Sequence, residues 1–366
     1  MSDEPAIDKL DDFAHPRDCQ TLVGQRAAEE TFLGSYLGGR FHHAWLVTGP
    51  KGVGKASFAY RATKFLLSQE AGSAGGLFGP PETLDVETHH PAVSLINSGA
   101  HPGLTVLRRH YDPKGKKFFK NIRVDDVRRL SGFFGMTASD GGWRVVIIDT
   151  VDDMNINAAN AILKILEEPP AKTVFFLLSN SPAGLLPTVQ SRCRRLTLNP
   201  LSNEQVQSVI GPLLADQIDA RGLASLTLLA EGSPGKAAAL YAAGGLDAYY
   251  GLLDIFKTYP DYDPDTLHGL ADRAAKKDNE ALYRVLCELI PWWLSRFVRA
   301  ASIGLDKISL MEGEADIMQD LLRHHPVPFW VDMWEHTNHL IERADTVNLD
   351  KKQVILNFFL SPTIRK

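Results

Sequence analysis

Short apolar runs alternate with helical patterns along about the first 200 residues of the chain. The runs that predict β-strands are Ala44–Thr48, Leu104–Leu107, Arg144–Asp149, Thr173–Leu178 and Arg195–Leu198. The third and fourth runs are apolar on both faces, which is typical of central strands in a parallel sheet covered by helices. Helical patterns lie between the strands, for example at Ala56–Leu67 and Ile156–Leu166. This alternation predicts a doubly wound α/β domain whose ligand binds at the carboxyl ends of the strands.

The strand signals fade after Pro200, and the rest of the chain has a helical pattern. Residues 201–243 predict a small helical unit, with a joint at Gly244-Gly245. Further helices are predicted at Ala281–Leu289, Pro291–Ala300 and Trp330–Arg343. The large aromatic residues of this part are interpreted as core or helix-interface residues: Trp292, Trp293, Phe297, Phe329, Trp330 and Trp334. We predict three domains: an α/β domain over residues 1–199, a helical lid over 200–245 and an all-helical domain over 246–366.

Residues 69–101 interrupt the alternation of strands and helices. The segment is rich in Gly, Pro and Ser, which predicts an insertion or an extended surface loop. His89, His90 and His101 lie in or beside it, but no Cys accompanies them. A solvated loop is therefore favoured over a metal site, and we predict no metal ligands in this chain.

The residue types of a phosphate-binding loop (P-loop) follow the first predicted strand. The sequence Gly49-Pro50-Lys51-Gly52-Val53-Gly54-Lys55-Ala56 has both glycines and the lysine of such a loop. In a P-loop the backbone N–H groups cradle phosphates, the Lys reaches the β/γ oxygens and a hydroxyl at the last position binds Mg²⁺. Ala56 occupies that last position, and a methyl group cannot ligate a cation. One helical step turns Ser57 by about 100° away from the loop, which makes it a poor substitute.

A second element of a nucleotide site is also incomplete. Active P-loop ATPases of the AAA+ type end a buried strand with Asp-Glu, where the Asp supports Mg²⁺ and the Glu polarises the attacking water. Here Asp149 ends the strand and the neutral Thr150 follows it. Asp152 and Asp153 come later, where a carboxylate needs an unusual turn to reach the same water. Asp149 is either part of a nucleotide site or a cap of the following loop, and both interpretations stay open.

Composition and charge limit the classes of function. The chain has 366 residues, of which 44% are hydrophobic and 23% charged, as in globular proteins of two or three domains. The formal net charge of −5 argues against bulk electrostatic coating of DNA but allows a local basic patch. The three cysteines, Cys19, Cys193 and Cys287, form no disulfide framework, which fits a reducing cytosol. The acidic start lacks an apolar run and no stretch reaches membrane-spanning length, so we expect a cytoplasmic protein without a signal peptide.

Residues 108–123 are the most basic part of the chain. Their Arg, Lys and His side chains are interleaved with three aromatic residues, Tyr111, Phe118 and Phe119. Basic grooves with aromatic platforms bind single-stranded nucleic acid in other proteins. A solvated hairpin is slightly favoured here, and contact with the phosphates of primer-template DNA remains the alternative.

A longer set of motifs resembles one protein family. The run Asn157–Pro170 (NAANAILKILEEPP), the strand Val174–Leu178 and the triplet Ser191-Arg192-Cys193 resemble the signature of bacterial clamp-loader subunits, which are AAA+ proteins. Further matching pieces occur in the same order at residues 15–25, 43–46 and 122–128. The resemblance is dense from about residue 15 to residue 200 and is strongest to the delta-prime subunits of DNA polymerase III. An ordered set of motifs is much more specific than a P-loop alone.

The resemblance implies a RecA-like AAA+ domain, a helical lid and a C-terminal helical collar domain that joins the subunits of a clamp loader. It implies motor subunits and the delta subunit as partners, and the sliding clamp as a partner through the complex. Motor subunits carry an arginine two residues after a Gly-Ser in the lid, and Gly235 stands at that place here. Together with Ala56 and Thr150, this departure implies a non-motor subunit that needs no cofactor. ATP or ADP, where bound, is expected to stay without turnover at Gly49–Ala56, Asp149 and Ser179.

The resemblance assigns Arg192 a role in trans, because the arginine of Ser-Arg-Cys in this family reaches into the ATP site of a neighbouring subunit. A guanidinium suits that role, since it is permanently charged, planar and able to bridge phosphate oxygens. The alternative for Arg192 is a salt bridge within the chain or solvent exposure. Cys193 is interpreted as a packed small side chain, and Arg194 and Arg195 as surface charge.

Two other functions remain as alternatives. A motor-type ATPase that hydrolyses ATP in cis is disfavoured by Ala56 and Thr150. A free-standing P-loop kinase is disfavoured by the Ser-Arg-Cys triplet and the long helical tail.

Overall fold

A computed structural model describes residues 13–39, 41–69, 80–115, 117–135, 142–347 and 349–364. The predictions for the start of the chain, for residues 70–79 and for Lys116 lie outside these residues. The chain forms two compact units, the first of Met1–Ile218 with Thr227–Ala238 and the second of Asp219–Leu226 with Ala239–Lys366. The three predicted domains, with boundaries after residues 199 and 245, are a different division and remain a prediction.

The first unit contains a five-stranded sheet in which all strands run parallel. Its strands are β1 (Ala44–Thr48), β2 (Leu104–Arg108), β5 (Arg144–Asp149), β6 (Thr173–Ser179) and β7 (Arg194–Thr197). A separate antiparallel hairpin is formed by β3 (Tyr111–Asp112) and β4 (Lys117–Phe118). The strand order is β2-β5-β6-β1-β7, which brings the carboxyl ends of β5, β6 and β1 side by side. All five predicted strands are present, although β7 lies one residue earlier than predicted, a difference within the usual uncertainty of strand ends.

Helices cover both faces of this sheet. The helices of the first unit are α1 (Arg26–Leu37), α2 (Lys55–Ser68), α3 (Pro91–Asn97), α4 (Val124–Gly135), α5 (Ile156–Glu167), α6 (Pro187–Gln190) and α7 (Asn203–Leu214). Because side chains alternate along a strand, Leu46 and Phe175 join one core with α4 and α5. On the opposite face, Phe176 lies 5.6 Å from Phe32 of α1 and 6.4 Å from Phe58 of α2, measured between ring centroids. This three-layer architecture confirms the predicted α/β fold with a parallel sheet.

The second unit is helical in all its described secondary structure except short 3₁₀ turns. Its helices are α10 (Gly245–Lys257), α11 (Pro264–Ala275), α12 (Glu280–Ile303), α13 (Glu314–His324), α14 (Val327–Val347) and α15 (Lys351–Ile364), while α8 (Ala220–Ala230) and α9 (Pro234–Ala242) contribute residues to both units. Trp293 of α12 is completely buried and stacks on Phe256 of α10 at 4.4 Å between ring centroids. No described helix is both long and apolar enough to cross a membrane.

The aromatic residues of the second unit form its core, as predicted. Trp293, Phe297 and Trp330 are buried, and Trp292, Phe329 and Trp334 are half-buried. The prediction of two helices on either side of Pro291 was wrong, because α12 continues through this proline. Proline removes one backbone N–H from a helix, but tertiary packing of the buried neighbours Ile290 and Trp293 outweighs that loss here.

Part of the predicted loop at residues 69–101 is helical. Helix α3 buries Ala92, Val93 and Ile96, which shows that an apolar face of this segment packs against the unit. His90 caps the helix, since its Nδ1 accepts a 3.2 Å hydrogen bond from the backbone N–H of Ala92. Among the described residues, no group of three or more His, Cys, Asp or Glu side chains is placed to hold a metal ion.

Candidate functional site

The P-loop connects β1 to α2 at the carboxyl edge of the sheet. Gly49 has a φ of 150°, and a Cβ at this position would lie 2.5 Å from the carbonyl oxygen of Leu198. Only glycine fits such a close approach. The loop ends where α2 begins at Lys55, so the positive end of a helix dipole points towards it. A tight glycine turn and a helix N-terminus, the two backbone features of a P-loop, are therefore both present.

The side chain of Lys55 is directed towards its own loop. It is buried, and Nζ donates 2.7 Å hydrogen bonds to the carbonyl oxygens of Gly49 and Pro50. Burial lowers the pKa of Lys55 to about 8, and the negative charges of Asp149 and Asp152 oppose that shift. A phosphate group at this loop has to compete with two backbone carbonyls for the ammonium.

The tip of the P-loop contacts the lid stretch, residues 232–236. In this stretch Gly235 stands where motor subunits are expected to carry an arginine. The backbone N–H of Gly235 donates a 2.9 Å hydrogen bond to the carbonyl oxygen of Gly52. A Cβ on Gly235 would lie 2.8 Å from the Cα of Gly52, and a Cβ on Gly52 would lie 2.5 Å from the backbone nitrogen of Lys236. The backbones of the P-loop and the lid stretch are in direct contact. An arginine side chain therefore fits at position 235 only if one of the two segments moves.

We expect Gly235→Arg to destabilise the first unit without creating nucleotide turnover. Forcing a side chain into this contact separates the loop from the lid stretch, at a cost of about 1–3 kcal/mol. Urea unfolding monitored by circular dichroism measures the loss, and phosphate release with Mg²⁺-ATP measures turnover. Gly34→Ala is the control, because a Cβ on this helical residue meets no atom within 4 Å. Wild-type stability together with new turnover in Gly235→Arg would contradict this interpretation.

Asp149 and Ser179 lie beside the P-loop, as their places in the sequence predicted. They are the last residues of β5 and β6, and Ser179 pairs with Thr48, the last residue of β1. The Ser179 hydroxyl is fully buried and donates a 2.7 Å hydrogen bond to Oδ1 of Asp152. The structure thus brings together the predicted nucleotide-site residues, and it gives Ser179 a partner within the chain.

The two later carboxylates do not replace the missing glutamate at position 150. Asp152 accepts hydrogen bonds from Ser179 and, at 2.6 Å, from the backbone N–H of Asn180. Asp153 pairs with Arg109, whose Nε is 3.1 Å from Oδ2. Burial raises the pKa of Asp153, and the Arg109 charge opposes the shift. Both carboxylates are therefore held by neighbouring groups inside the chain.

Arg192 lies at the surface just after α6. Its Nη2 is 2.5 Å from Oε1 of Glu167, the last residue of α5, and its Nη1 donates a 2.9 Å hydrogen bond to the carbonyl oxygen of Thr188. The side chains of Arg192 and Glu167 are 33% and 48% exposed. The salt bridge within the chain that the sequence left open is therefore present. Ion pairs at such exposure contribute only about 0–1 kcal/mol, so a polyanion can compete with Glu167 for this guanidinium.

The residues next to Arg192 have structural contacts. Cys193 packs beside the core, and burial raises the pKa of its thiol to about 12, which keeps it protonated and unreactive. Arg194 donates a 3.0 Å hydrogen bond to Oγ of Ser35 and lies over the ring of Trp45 at 5.1 Å. The prediction of Cys193 as a packed residue is confirmed, whereas Arg194 does more than provide surface charge.

The basic segment forms the predicted hairpin of β3 and β4. The rings of Tyr111 and Phe118 lie across the strands at 5.3 Å, and the guanidinium of Arg123 lies 4.2 Å above the ring of Phe119. The carboxylate of Asp126 is 3.3 Å from Nε2 of His110, which offsets part of the positive charge. Local partners therefore account for the aromatic and some basic residues, and DNA contact stays a prediction.

Three contacts of this region were not predicted: Glu167 with Arg192, Asp152 with Ser179 and Gly52 with Gly235. Each joins residues far apart in the chain, so no local pattern indicates the pairing. The sequence motifs pointed only to the segments that hold two of these residues. Glu167 lies in the run Asn157–Pro170, and Gly235 lies in the predicted lid.

Comparison with known proteins agrees with the fold and the motifs. Residues 24–202 match the family described as DNA polymerase III, delta subunit. The delta-prime subunit of DNA polymerase III from Pseudomonas aeruginosa is 39% identical over 215 residues, which are 58% of this chain and 60% of that protein. The Escherichia coli delta-prime subunit is 35% identical over 212 residues, 58% of each chain. The tau subunit of Salmonella typhimurium is 29% identical over 221 residues, 60% of this chain and 32% of that protein.

About 60% of this chain is therefore similar to subunits of DNA polymerase III. Over this region the identity is higher to the two delta-prime subunits than to the tau subunit. The matched region spans about 60% of the length of the delta-prime relatives.

Proposed function

We propose that this chain is a non-motor subunit of a sliding-clamp loader, which supports ATP-driven loading of the clamp onto primed DNA. Its own P-loop would be idle, and it would supply Arg192 to ATP bound by an adjacent motor subunit. The observation that carries the proposal is the contrast between these two sites. Lys55 and Ser179 at the P-loop are buried with partners inside the chain, whereas Arg192 lies at the surface, where a salt bridge with Glu167 and a hydrogen bond to the carbonyl of Thr188 hold it.

Three features of the P-loop region support an idle site. Ala56 provides no metal ligand, and Lys55 donates hydrogen bonds to loop carbonyls. Gly235 packs against Gly52, so no arginine side chain fits at its position. Asp152 is a fourth feature. Its carboxylate accepts hydrogen bonds from the Ser179 hydroxyl and from the backbone N–H of Asn180. A γ-phosphate would have to displace that carboxylate to use the same donors.

The position of Arg192 supports action on a neighbouring molecule. A guanidinium group binds a carboxylate through charge-assisted hydrogen bonds. It can donate hydrogen bonds of the same kind to phosphate oxygens. Exchange of Glu167 for a triphosphate replaces one anionic partner by a more highly charged one. The exchange needs only a side-chain rotation, because Arg192 lies at the surface and its backbone is anchored through the N–H of Arg192 to the carbonyl of Val189.

The partners follow from this proposal. The similarity to tau and gamma subunits supports a clamp loader as the assembly, with motor subunits and the delta subunit as neighbours. The helical second unit, with its large apolar core, would serve as the collar that joins them. The sliding clamp and primer-template DNA would be met through the complex.

We expect the isolated chain to show no Mg²⁺-dependent ATP hydrolysis, because it lacks a metal ligand at position 56 and a general base at position 150. Phosphate release by the purified chain measures this directly. Weak nucleotide binding without turnover agrees with the proposal, since the loop amides and Lys55 can hold phosphates without metal. Turnover comparable with that of the motor subunit would show that the site is not idle, and would favour hydrolysis in cis.

A further inference from the structure

A second positively charged site lies in the first unit, outside the P-loop. It is a cavity of about 270 Å³ beside the edge strand β2, bounded by α2, the end of α3 and the 3₁₀ turn Pro16–Asp18. Its polar lining comprises Arg17, Tyr60, His101, Thr105 and Arg108, and none of its lining residues is an Asp or a Glu. A cavity with two guanidinium groups and no carboxylate in its lining favours an anion.

Arg17 provides the most specific observation. Its Nε atom is buried and has no hydrogen-bond partner. A buried charged donor without an acceptor is costly, and such donors normally have a protein, water or ligand partner. Gly99 makes room for this guanidinium, because a Cβ there would lie 2.9 Å from Nη1 of Arg17. The Arg17 guanidinium therefore lies directly beside the backbone of Gly99 at the cavity wall.

His101 adds a neutral donor to the same cavity. Its Nδ1 accepts a 3.0 Å hydrogen bond from the backbone N–H of Gly103, so the proton of the neutral ring is on Nε2. Burial lowers the pKa of His101, which keeps the ring neutral near pH 7. Tyr60 and Thr105 also line the cavity.

We propose that this cavity binds a phosphate group, with the Arg17 guanidinium as its principal ligand. Phosphate matches the lining because it offers several acceptor oxygens and a charge that two guanidinium groups can balance. The group can arrive as a free phosphate compound or as a phosphodiester of a nucleic acid strand. The site is independent of the P-loop and does not rest on the proposed function.

Isothermal titration of the full chain with inorganic phosphate tests the site. We expect saturable binding that Arg17→Gln weakens by about tenfold or more, because a charge-assisted bond is lost. Arg26→Gln is the matched control, since that side chain is 91% exposed and pairs only with Glu30 along α1. Lys55→Met weakens any phosphate binding at the P-loop, so the binding that persists in this variant and that Arg17→Gln weakens belongs to the cavity. Absence of saturable binding to wild type, equal binding by Arg17→Gln, or loss in Lys55→Met would each overturn the proposal.

A second substitution and an oligonucleotide-binding measurement complete the test. Arg108→Gln removes the second guanidinium of the lining, and should also weaken phosphate binding if Arg17→Gln fails to fold. Fluorescence anisotropy with a labelled single-stranded oligonucleotide identifies the source of the phosphate. Oligonucleotide binding that inorganic phosphate displaces and Arg17→Gln weakens indicates a nucleic acid strand. Phosphate binding without oligonucleotide binding at this site indicates a small phosphate compound.

Discussion

Arg192→Ala should leave this subunit folded and a clamp-loader complex assembled, while ATP hydrolysis at the neighbouring site falls by on the order of 10³ or more. An arginine that completes an ATP site in trans supplies a rate factor of about 10³–10⁵. The fold should be unaffected, because the Arg192–Glu167 pair is exposed and contributes little to stability. Steady-state phosphate release, measured on a DNA-stimulated complex of confirmed composition, gives the result.

Two substitutions make the result specific to the guanidinium at position 192. Arg192→Lys should rescue poorly, because an ammonium lacks the planar fork that bridges phosphate oxygens. Arg195→Ala should have little effect, since Arg195 is exposed and its long 3.4 Å contact is with the Thr48 hydroxyl. A wild-type clamp-loading rate in Arg192→Ala would make Arg192 a surface charge and the chain a scaffold.

Trp293→Ala should lower the free energy of unfolding of the helical second unit by about 3–5 kcal/mol, the range for deletion of a buried large aromatic side chain. The indole is completely buried, stacks on Phe256 at 4.4 Å and lies 5.5 Å from the ring of Phe297. Its removal leaves a cavity between α10 and α12 that cannot close without repacking. Chemical denaturation of the purified chain, followed by circular dichroism, measures the change.

Ile303→Ala is the control on the same helix. Its side chain is 43% exposed, so its loss should change stability by no more than about 0.5 kcal/mol. A similarly small effect of Trp293→Ala would contradict the assignment of this tryptophan to the core. If the second unit joins the subunits, Trp293→Ala should also reduce the recovery of assembled complex, whereas Ile303→Ala should not.

The strands and the nucleotide-site residues could be predicted because their signals are local. Val145–Ile148 and Val174–Leu178 are apolar on both faces, which only a covered parallel sheet accommodates. The glycines of the P-loop are similarly dictated by backbone geometry at the end of β1. The parallel sheet then brings Asp149 and Ser179 to the loop without further information.

The remaining contacts depend on packing between distant segments. Helix α12 continues through Pro291 because buried residues on both sides hold it, a tertiary effect that overrides the local propensity. Glu167 and Arg192 are 25 residues apart, and their meeting depends on how α5 and α6 are placed after β6. The apolar face of α3 was hidden because Gly, Pro and Ser around it indicated a loop.

We propose that Arg192 acts on a neighbour's nucleotide while the P-loop of this chain is idle. A double-mutant cycle in the reconstituted complex tests it most directly, combining Arg192→Ala with inactivation of the P-loop lysine of the adjacent motor subunit. We predict that either change abolishes hydrolysis at that one site and that the pair causes no further loss. Lys55→Met in this chain should leave the rate unchanged. Additive losses from Arg192→Ala and the motor substitution, or a loss of hydrolysis on Lys55→Met, would contradict the account.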